Sequence, residues 1–301
     1  MVEQIGRLLT AMITPFDSDG NVDYAQAGKL AQALVASGSD GIVVAGTTGE
    51  SPNLTREEQT RLFAEVKEAV GDKSSVVAGT GSNSTAEAIK YTEDAQKTGV
   101  DAALSVVPYY NKPPQEGLYQ HFKAIAESTD LPIILYNVPG RTSTNINADT
   151  VVRLSRIPNI VGIKEAGGDL NQAAHIIKDS ESGFLVWSGN DDQTYPIMTL
   201  GGYGIISVAS HIIGNQIKTM MEMTLEGKLE QAAAEHRRML PIFQGLFLVA
   251  NPIPVKYAVN KIGFPVGNPR LPLIPPDTQT SAQIDMLIKD YQVDLRVPSG
   301  T

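Results

Sequence analysis

The sequence predicts a closed (β/α)8 barrel followed by a C-terminal helical extension, and three observations carry that prediction. Short apolar runs alternate with longer amphipathic stretches, the pair repeating about every 25 to 30 residues. The apolar runs are nearly continuous rather than interleaved with polar residues, which marks parallel strands covered on both faces. Such units fill about 225 residues, which suits a closed barrel better than an open doubly wound sheet.

The eight expected strands cover residues 8–14, 41–45, 75–79, 102–107, 133–137, 160–164, 184–188 and 204–209. Between them lie helices with recognisable starts. Asp23 opens residues 24–37, and Thr55, followed by Glu57 and Glu58, opens residues 56–70. Thr85 precedes residues 86–97, and Asp169 precedes residues 170–178. A Ser, Thr or Asp at such an entry caps free backbone N–H groups, and nearby carboxylates complement the helix dipole. Gly38, Gly71 and Gly99 close three of these helices as left-handed C-caps. After the eighth unit the rhythm changes. Residues 229–249, 255–262 and 280–291 read as consecutive helices with no strands between them. The expected division is therefore a catalytic barrel over 1–226 and an extension over 227–301 packed on it.

The chain has 301 residues, 19% charged and 42% hydrophobic, an ordinary globular balance. Its net charge of -9 argues against nucleic acid or an anionic membrane as partner, since both reward a basic surface. With no cysteine, disulfides, thiolate catalysis and zinc–thiolate sites are excluded. Residues 1–10 do not read as a signal peptide, and no stretch approaches the roughly 20 apolar residues of a membrane span. A soluble cytoplasmic protein is the expectation.

In a (β/α)8 barrel, chemistry sits on loops at the C-terminal ends of the strands, so polar residues there come first. Lys164 ends the apolar run Ile160-Val161-Gly162-Ile163. Burial disfavours an ammonium, and a neutral amine attacks a ketone to form a Schiff base. The alternatives are pairing with a carboxylate such as Glu165 or snorkelling to the barrel mouth. Tyr136 ends strand five, either as a proton relay or as a core tyrosine with a satisfied hydroxyl. Tyr109 and Tyr110 stand in a proline-stiffened loop, 108–113, as site residues, an oligomer contact or both.

Gly46-Thr47-Thr48-Gly49-Glu50 offers hydroxyls and accessible N–H groups, a cradle for a small carboxylate. It lacks the Lys-Ser/Thr ending of a P-loop, and Gly79-Thr80-Gly81-Ser82 reads as a tight βα turn. Arg141 is suited to bidentate carboxylate recognition, or else to a surface salt bridge. His121, His175, His211 and His236 are scattered, with no HxH or HExxH pair, so no metal site is expected. There is also no GxSxG elbow and no Rossmann glycine fingerprint. Met220, Met221 and Met223 read as helix packing.

Together, and in this order, these segments resemble the dihydrodipicolinate synthase family of pyruvate-dependent class I aldolases. The matching stretches are Thr14-Pro15-Phe16, Gly46-Thr47-Thr48-Gly49-Glu50, Tyr109-Tyr110-Asn111-Lys112-Pro113 and Tyr136-Asn137-Val138-Pro139-Gly140-Arg141-Thr142. Gly162-Ile163-Lys164-Glu165-Ala166, Ser188-Gly189, Gly204-Ile205-Ile206-Ser207 and Asn251-Pro252-Ile253-Pro254 complete them. The likeness spans nearly the whole chain.

The resemblance implies a Schiff base between Lys164 and pyruvate. An enamine then condenses with L-aspartate 4-semialdehyde to give 4-hydroxy-tetrahydrodipicolinate, for lysine and diaminopimelate biosynthesis. It implies a proton relay of Tyr136, Thr47 and Tyr110, with Tyr110 crossing a subunit boundary. Thr47 and Thr48 would hold the pyruvate carboxylate, Arg141 that of the semialdehyde, and Gly189 and Ile206 would supply backbone groups. No metal or organic cofactor is implied, and a homotetramer built as a dimer of dimers is.

Members of the family inhibited by lysine usually carry histidines after Gly-Glu-Ser, where this chain has Arg56 and Gln59. Ser51, Asn83, Glu87 and Tyr109 of that effector pocket are retained. An arginine facing a cation is unfavourable, so weak or absent lysine inhibition is expected. Many members also have an acidic residue before Asn251, where this chain has Val249-Ala250. Rival readings are a sister aldolase, such as N-acetylneuraminate lyase or a keto-deoxy-sugar acid aldolase, and a catalytically inactive ligand-binding paralogue. The Gly-Arg-Thr after Tyr136 and the Thr47-Thr48 pair favour the synthase over the first. Against the second stands the intact lysine, tyrosine and threonine set.

Overall fold

A computed structural model describes residues 5–297. The start of the 1–10 segment and the end of the 227–301 extension lie outside the described residues. Eight parallel strands close in sequence order: β1 (Leu8–Ala11), β2 (Gly41–Val44), β3 (Ser75–Gly79), β4 (Ala102–Val106), β5 (Ile133–Asn137), β6 (Ile160–Glu165), β7 (Leu185–Ser188) and β8 (Gly204–Ser207). β8 returns to pair with β1, Leu9 opposite Ile206, so no edge of the sheet is left open.

Four expected strands stop short, β2 and β4 by one residue each and β1 and β8 by more. β1 ends at Ala11 rather than residue 14; Met12 N still donates to the Val43 carbonyl at 3.0 Å, and beyond it the Thr14 hydroxyl donates to the Gly49 carbonyl at 2.6 Å. β8 ends at Ser207 rather than residue 209, because the N–H groups of Val208 and Ala209 donate to the Asp191 carboxylate, each at 3.1 Å.

The helices begin where side chains meet their free N–H groups. α1 (Tyr24–Ala36) is capped by Asp23, whose carboxylate accepts from Gln26 N at 2.9 Å. α2 (Arg56–Val70) carries a complete capping box: Glu58 N donates to Thr55 Oγ1, and Thr55 N donates back to Glu58 Oε2. α3 (Thr85–Lys97) corrects the expected start, since Ser84 is the cap and Thr85 is already helical. The Thr85 hydroxyl instead meets His121 Nδ1 at 2.9 Å, on α4 (Gln115–Glu127). The glycines at the three expected closures, Gly38, Gly71 and Gly99, all have positive φ.

Around the second half of the barrel run α5 (Pro139–Thr142), α6 (Ala148–Leu154), α7 (Leu170–Asp179), α8 (Thr194–Thr199) and α9 (Ser210–Leu225). Asp169 caps α7 as expected, and Met220 and Met221 are buried on α9. The extension comprises α10 (Leu229–Gly245), α11 (Ile253–Lys261) and α12 (Thr278–Lys289). α10 ends four residues before the expected 249. Phe247, Leu248 and Val249 are exposed, so the apolar run there reflects no buried helical face.

Side chains of a strand alternate between faces, so each strand feeds two cores. The outer core lies between barrel and helices. The inner one includes Leu9, Val43, Val77, Leu104, Ile134, Tyr136, Trp187 and Ile206. Val255, Ala258 and Val259 of α11 join the outer core, which ties the extension to the barrel.

Candidate active site

β6 places Lys164 between Tyr136 of β5 and Trp187 of β7 in register, facing the barrel interior. The side chain is 5% exposed, and its Nζ stands 4.4 Å from the Tyr136 ring centroid. Neither alternative that the sequence leaves open for it occurs. Among the described residues the amine has no hydrogen-bond or ion-pair partner. Glu165 points to the other face, where its carboxylate accepts from Asn137 Nδ2 at 3.0 Å, from Gln172 Nε2 at 3.0 Å and from Gly167 N. Burial pushes the Glu165 carboxyl above the usual carboxylate range. An amine with no hydrogen bond to give up, at the end of a strand and inside the barrel, is placed to act as a nucleophile toward a ketone.

Tyr136 is buried, and among the described residues its hydroxyl has no hydrogen-bond partner, unlike a core tyrosine whose hydroxyl is satisfied. Gly189 follows β7 with its N–H donating to the Glu165 carbonyl at 2.7 Å. A Cβ there would stand 2.6 Å from Ala166 Cβ and 3.1 Å from Lys164 Cε, so only glycine leaves room beside the lysine. Ile206 is buried on the inner face of β8.

At the strand ends, Thr47, Val138, Arg141 and Thr142 line a cavity of about 400 Å³. Thr47 turns into it, while Thr48 is buried and its Oγ1 accepts from Asn251 Nδ2 at 2.9 Å. Arg141 donates to the Asn251 carbonyl at 3.2 Å, and among the described residues it makes no ion pair. That disposes of the surface salt bridge and leaves most of the guanidinium fork available.

The same cavity continues along Ser51, Gln59, Glu87 and Tyr109, four of the residues of the expected effector pocket. Arg56 and Asn83 are not brought to it. Arg56 is held by Asp94 of α3, and the Asn83 carbonyl accepts from Asn111 Nδ2 at 2.8 Å. The charge repulsion expected from Arg56 therefore loses its geometric basis, and Gln59 alone remains in place of a histidine. Tyr110 is not brought to Lys164 either. It is 89% exposed with a φ of 72°, the left-handed region that a bulky side chain avoids unless the surroundings require it.

Two buried charges escape a strand-end search. Asp191, after β7, accepts from Ser207 Oγ and from Val208 N and Ala209 N, and burial pushes its carboxyl up. Lys256 of α11 is fully buried, its Nζ 2.7 Å from Glu50 Oε1. Its signal is present in the sequence: a lysine in the apolar stretch from Ile253 to Val259 is as unexpected as Lys164 in its strand. Among the described residues no three His, Asp or Glu side chains converge as a metal site, and no helix is long and apolar enough to cross a membrane. His121 and His211 are held neutral by burial, each with its pKa lowered to about 4.

Residues 4–291 match the model of the dihydrodipicolinate synthetase family. A 4-hydroxy-tetrahydrodipicolinate synthase of Dehalococcoides mccartyi (strain CBDB1) is 58% identical over 296 residues, 98% of this chain and 100% of that protein. One from Moorella thermoacetica is 53% identical over 287 residues, 95% of this chain and 98% of its own. Among solved structures, a dihydrodipicolinate synthase from Bacillus anthracis superposes with a TM-score of 0.94 at 47% identity, covering 96% of this chain and 99% of that one. Another, from Cyanidioschyzon merolae with lysine bound, has a TM-score of 0.94 at 48% identity over 95% of this chain and 98% of its own.

Proposed function

This chain belongs to the dihydrodipicolinate synthetase family and catalyses the formation of 4-hydroxy-tetrahydrodipicolinate, and from that premise we propose the steps its residues carry out. It is a lyase of lysine and diaminopimelate biosynthesis, working through a lysine imine with no organic cofactor. The observation that carries the mechanism is the buried, unpartnered Lys164 amine beside the Tyr136 ring.

Lys164 Nζ attacks C2 of pyruvate, a C–N bond forms, and the former keto oxygen leaves as water. The iminium gives up a proton from C3 and becomes an enamine. C3 then attacks the aldehyde carbon of L-aspartate 4-semialdehyde, and the aldehyde oxygen takes up a proton as a hydroxyl. The amine of the semialdehyde adds to C2, and the C2–Nζ bond breaks, which closes the ring and frees Lys164. The lysine serves as electron sink throughout.

Thr47 and Thr48 hold the pyruvate carboxylate, with backbone groups of Gly189 and Ile206 around the bound ketoacid. Arg141 holds the semialdehyde carboxylate, because a planar fork on a short helix matches a carboxylate bidentately. Tyr136, Thr47 and Tyr110 pass protons between the active site and water. Tyr110 is exposed on its own chain and completes the site of a neighbouring subunit, so the working unit is at least a dimer, assembled into a homotetramer as a dimer of dimers. Arg141 also separates this reading from a sister aldolase acting on a neutral sugar aldehyde, which has no second carboxylate to bind.

The test is borohydride reduction with pyruvate followed by peptide mapping. A single pyruvyl adduct on Lys164, abolished in Lys164→Ala, is the expected result. An adduct on Lys256, or full trapping in Lys164→Ala, would move the nucleophile elsewhere.

A further inference from the structure

Glu50 and Lys256 form the most deeply buried ion pair among the described residues, their side chains 0% and 1% exposed. The pair joins two parts of the chain far apart in sequence. Glu50 closes the loop that carries Thr47 and Thr48, and Lys256 lies on α11 of the C-terminal extension. Removing two charges from water is expensive, and a buried pair is often no more stabilising than apolar residues of the same volume. Its placement therefore needs a reason other than stability.

The geometry supplies one. Glu50 has a φ of 58°, a left-handed conformation that a glutamate adopts at a cost, and its N–H donates to the Thr47 carbonyl at 3.1 Å. The carboxylate is gripped at both oxygens: Oε1 by Lys256 Nζ at 2.7 Å, Oε2 by Arg270 N at 2.9 Å and Asn53 Nδ2 at 3.4 Å. Lys256 is seated in turn, its Nζ 3.9 Å from the Phe16 ring centroid. Just ahead of α11, Asn251 donates to the Thr48 hydroxyl and accepts from Arg141. The extension thus holds the threonine loop at its hydroxyl and at its closing turn.

We propose that the buried Glu50–Lys256 pair is a positioning unit, by which the C-terminal extension sets Thr47 and Thr48 for the pyruvate carboxylate. It touches neither substrate nor Lys164. Burial beside the pair lowers the Lys256 pKa to about 8, a sign of how strongly the site is desolvated. The proposal rests on the threonine loop being the carboxylate cradle.

Two variants test it: Glu50→Gln, which keeps shape and hydrogen bonding but removes one charge, and the neutral double variant Glu50→Gln/Lys256→Met. Pyruvate KM, semialdehyde KM, kcat and melting temperature are measured for both beside the parent. Expected is a pyruvate KM raised about tenfold or more, the size of a loosened charged contact, with semialdehyde KM within about twofold of the parent. Borohydride trapping on Lys164 should still reach full yield at saturating pyruvate. A parental pyruvate KM in either folded variant would overturn the proposal, whatever the melting temperature does. Loss of fold in both would overturn it too, by making the pair a stability element. A parent that traps no pyruvate at Lys164 would instead bring down the site reading itself.

Discussion

Lys164 and Lys256 share burial but not surroundings, and surroundings decide what a buried amine does. Lys256 is answered by the Glu50 carboxylate at 2.7 Å and is held as an ion. Lys164 lies against the Tyr136 ring face in space kept open by Gly189, with no hydrogen-bond partner among the described residues, so its amine is available to a ketone. Arg141 stands apart from both, at the cavity wall, with one carbonyl contact and, among the described residues, no ion pair. Arg141→Ala should therefore weaken the second substrate far more than the first. The semialdehyde kcat/KM is expected to fall about a hundredfold or more, as for the loss of a charged hydrogen-bonding partner, while borohydride trapping of pyruvate stays near parental. Equal losses in both half-reactions would place Arg141 on pyruvate instead.

Strand ends are where this fold turns backbone geometry into chemistry. β5 and β6 run in register, Tyr136 opposite Lys164 and Asn137 opposite Glu165, so one pair faces the interior and the other the helices. A register slip by one residue would bury Glu165 in the barrel and turn Lys164 out. Register is therefore a functional quantity, and closure of the barrel protects it. Closure depends on β8 approaching the chain just before β1. A Cβ on Gly204 would lie 2.0 Å from the Arg7 carbonyl oxygen, with backbone rather than a movable side chain in the way. Gly204→Ala is expected to cost on the order of 3 kcal/mol, read from the midpoint of urea unfolding. A parental midpoint would mean that the closure yields more easily than its geometry implies.

At the scale of the whole molecule, the relay we propose is not assembled within one chain. Tyr110, in left-handed backbone geometry and 89% exposed, lies away from Lys164. If it completes a neighbour's relay, two defective variants should rescue one another. In an oligomer of Lys164→Ala and Tyr110→Phe subunits, the lysine variant lends an intact tyrosine to its partner's site. Equal mixing with full subunit exchange should return about a quarter of parental activity, because half of the dimers are mixed and each holds one complete site. Activity of the mixture that only sums the separate variants would exclude the crossing.

The barrel and the place of Lys164 at the end of an apolar strand were legible in the sequence. Hydrophobic periodicity and helix caps are local signals, and a charged residue at the end of an apolar run announces itself wherever the chain goes. Other features depended on contacts between distant segments. Nothing local says that Glu165 turns away from Lys164, that Arg56 is claimed by Asp94, or that β8 stops where Asp191 takes its N–H groups. Glu50 and Lys256 are separated by 206 positions, and only folding shows them as partners. The sequence by itself determined which residues could react, because residue type and period fix propensity and face. Only the tertiary structure decided which of them are paired, buried or left open, because those are properties of the neighbours that packing brings together.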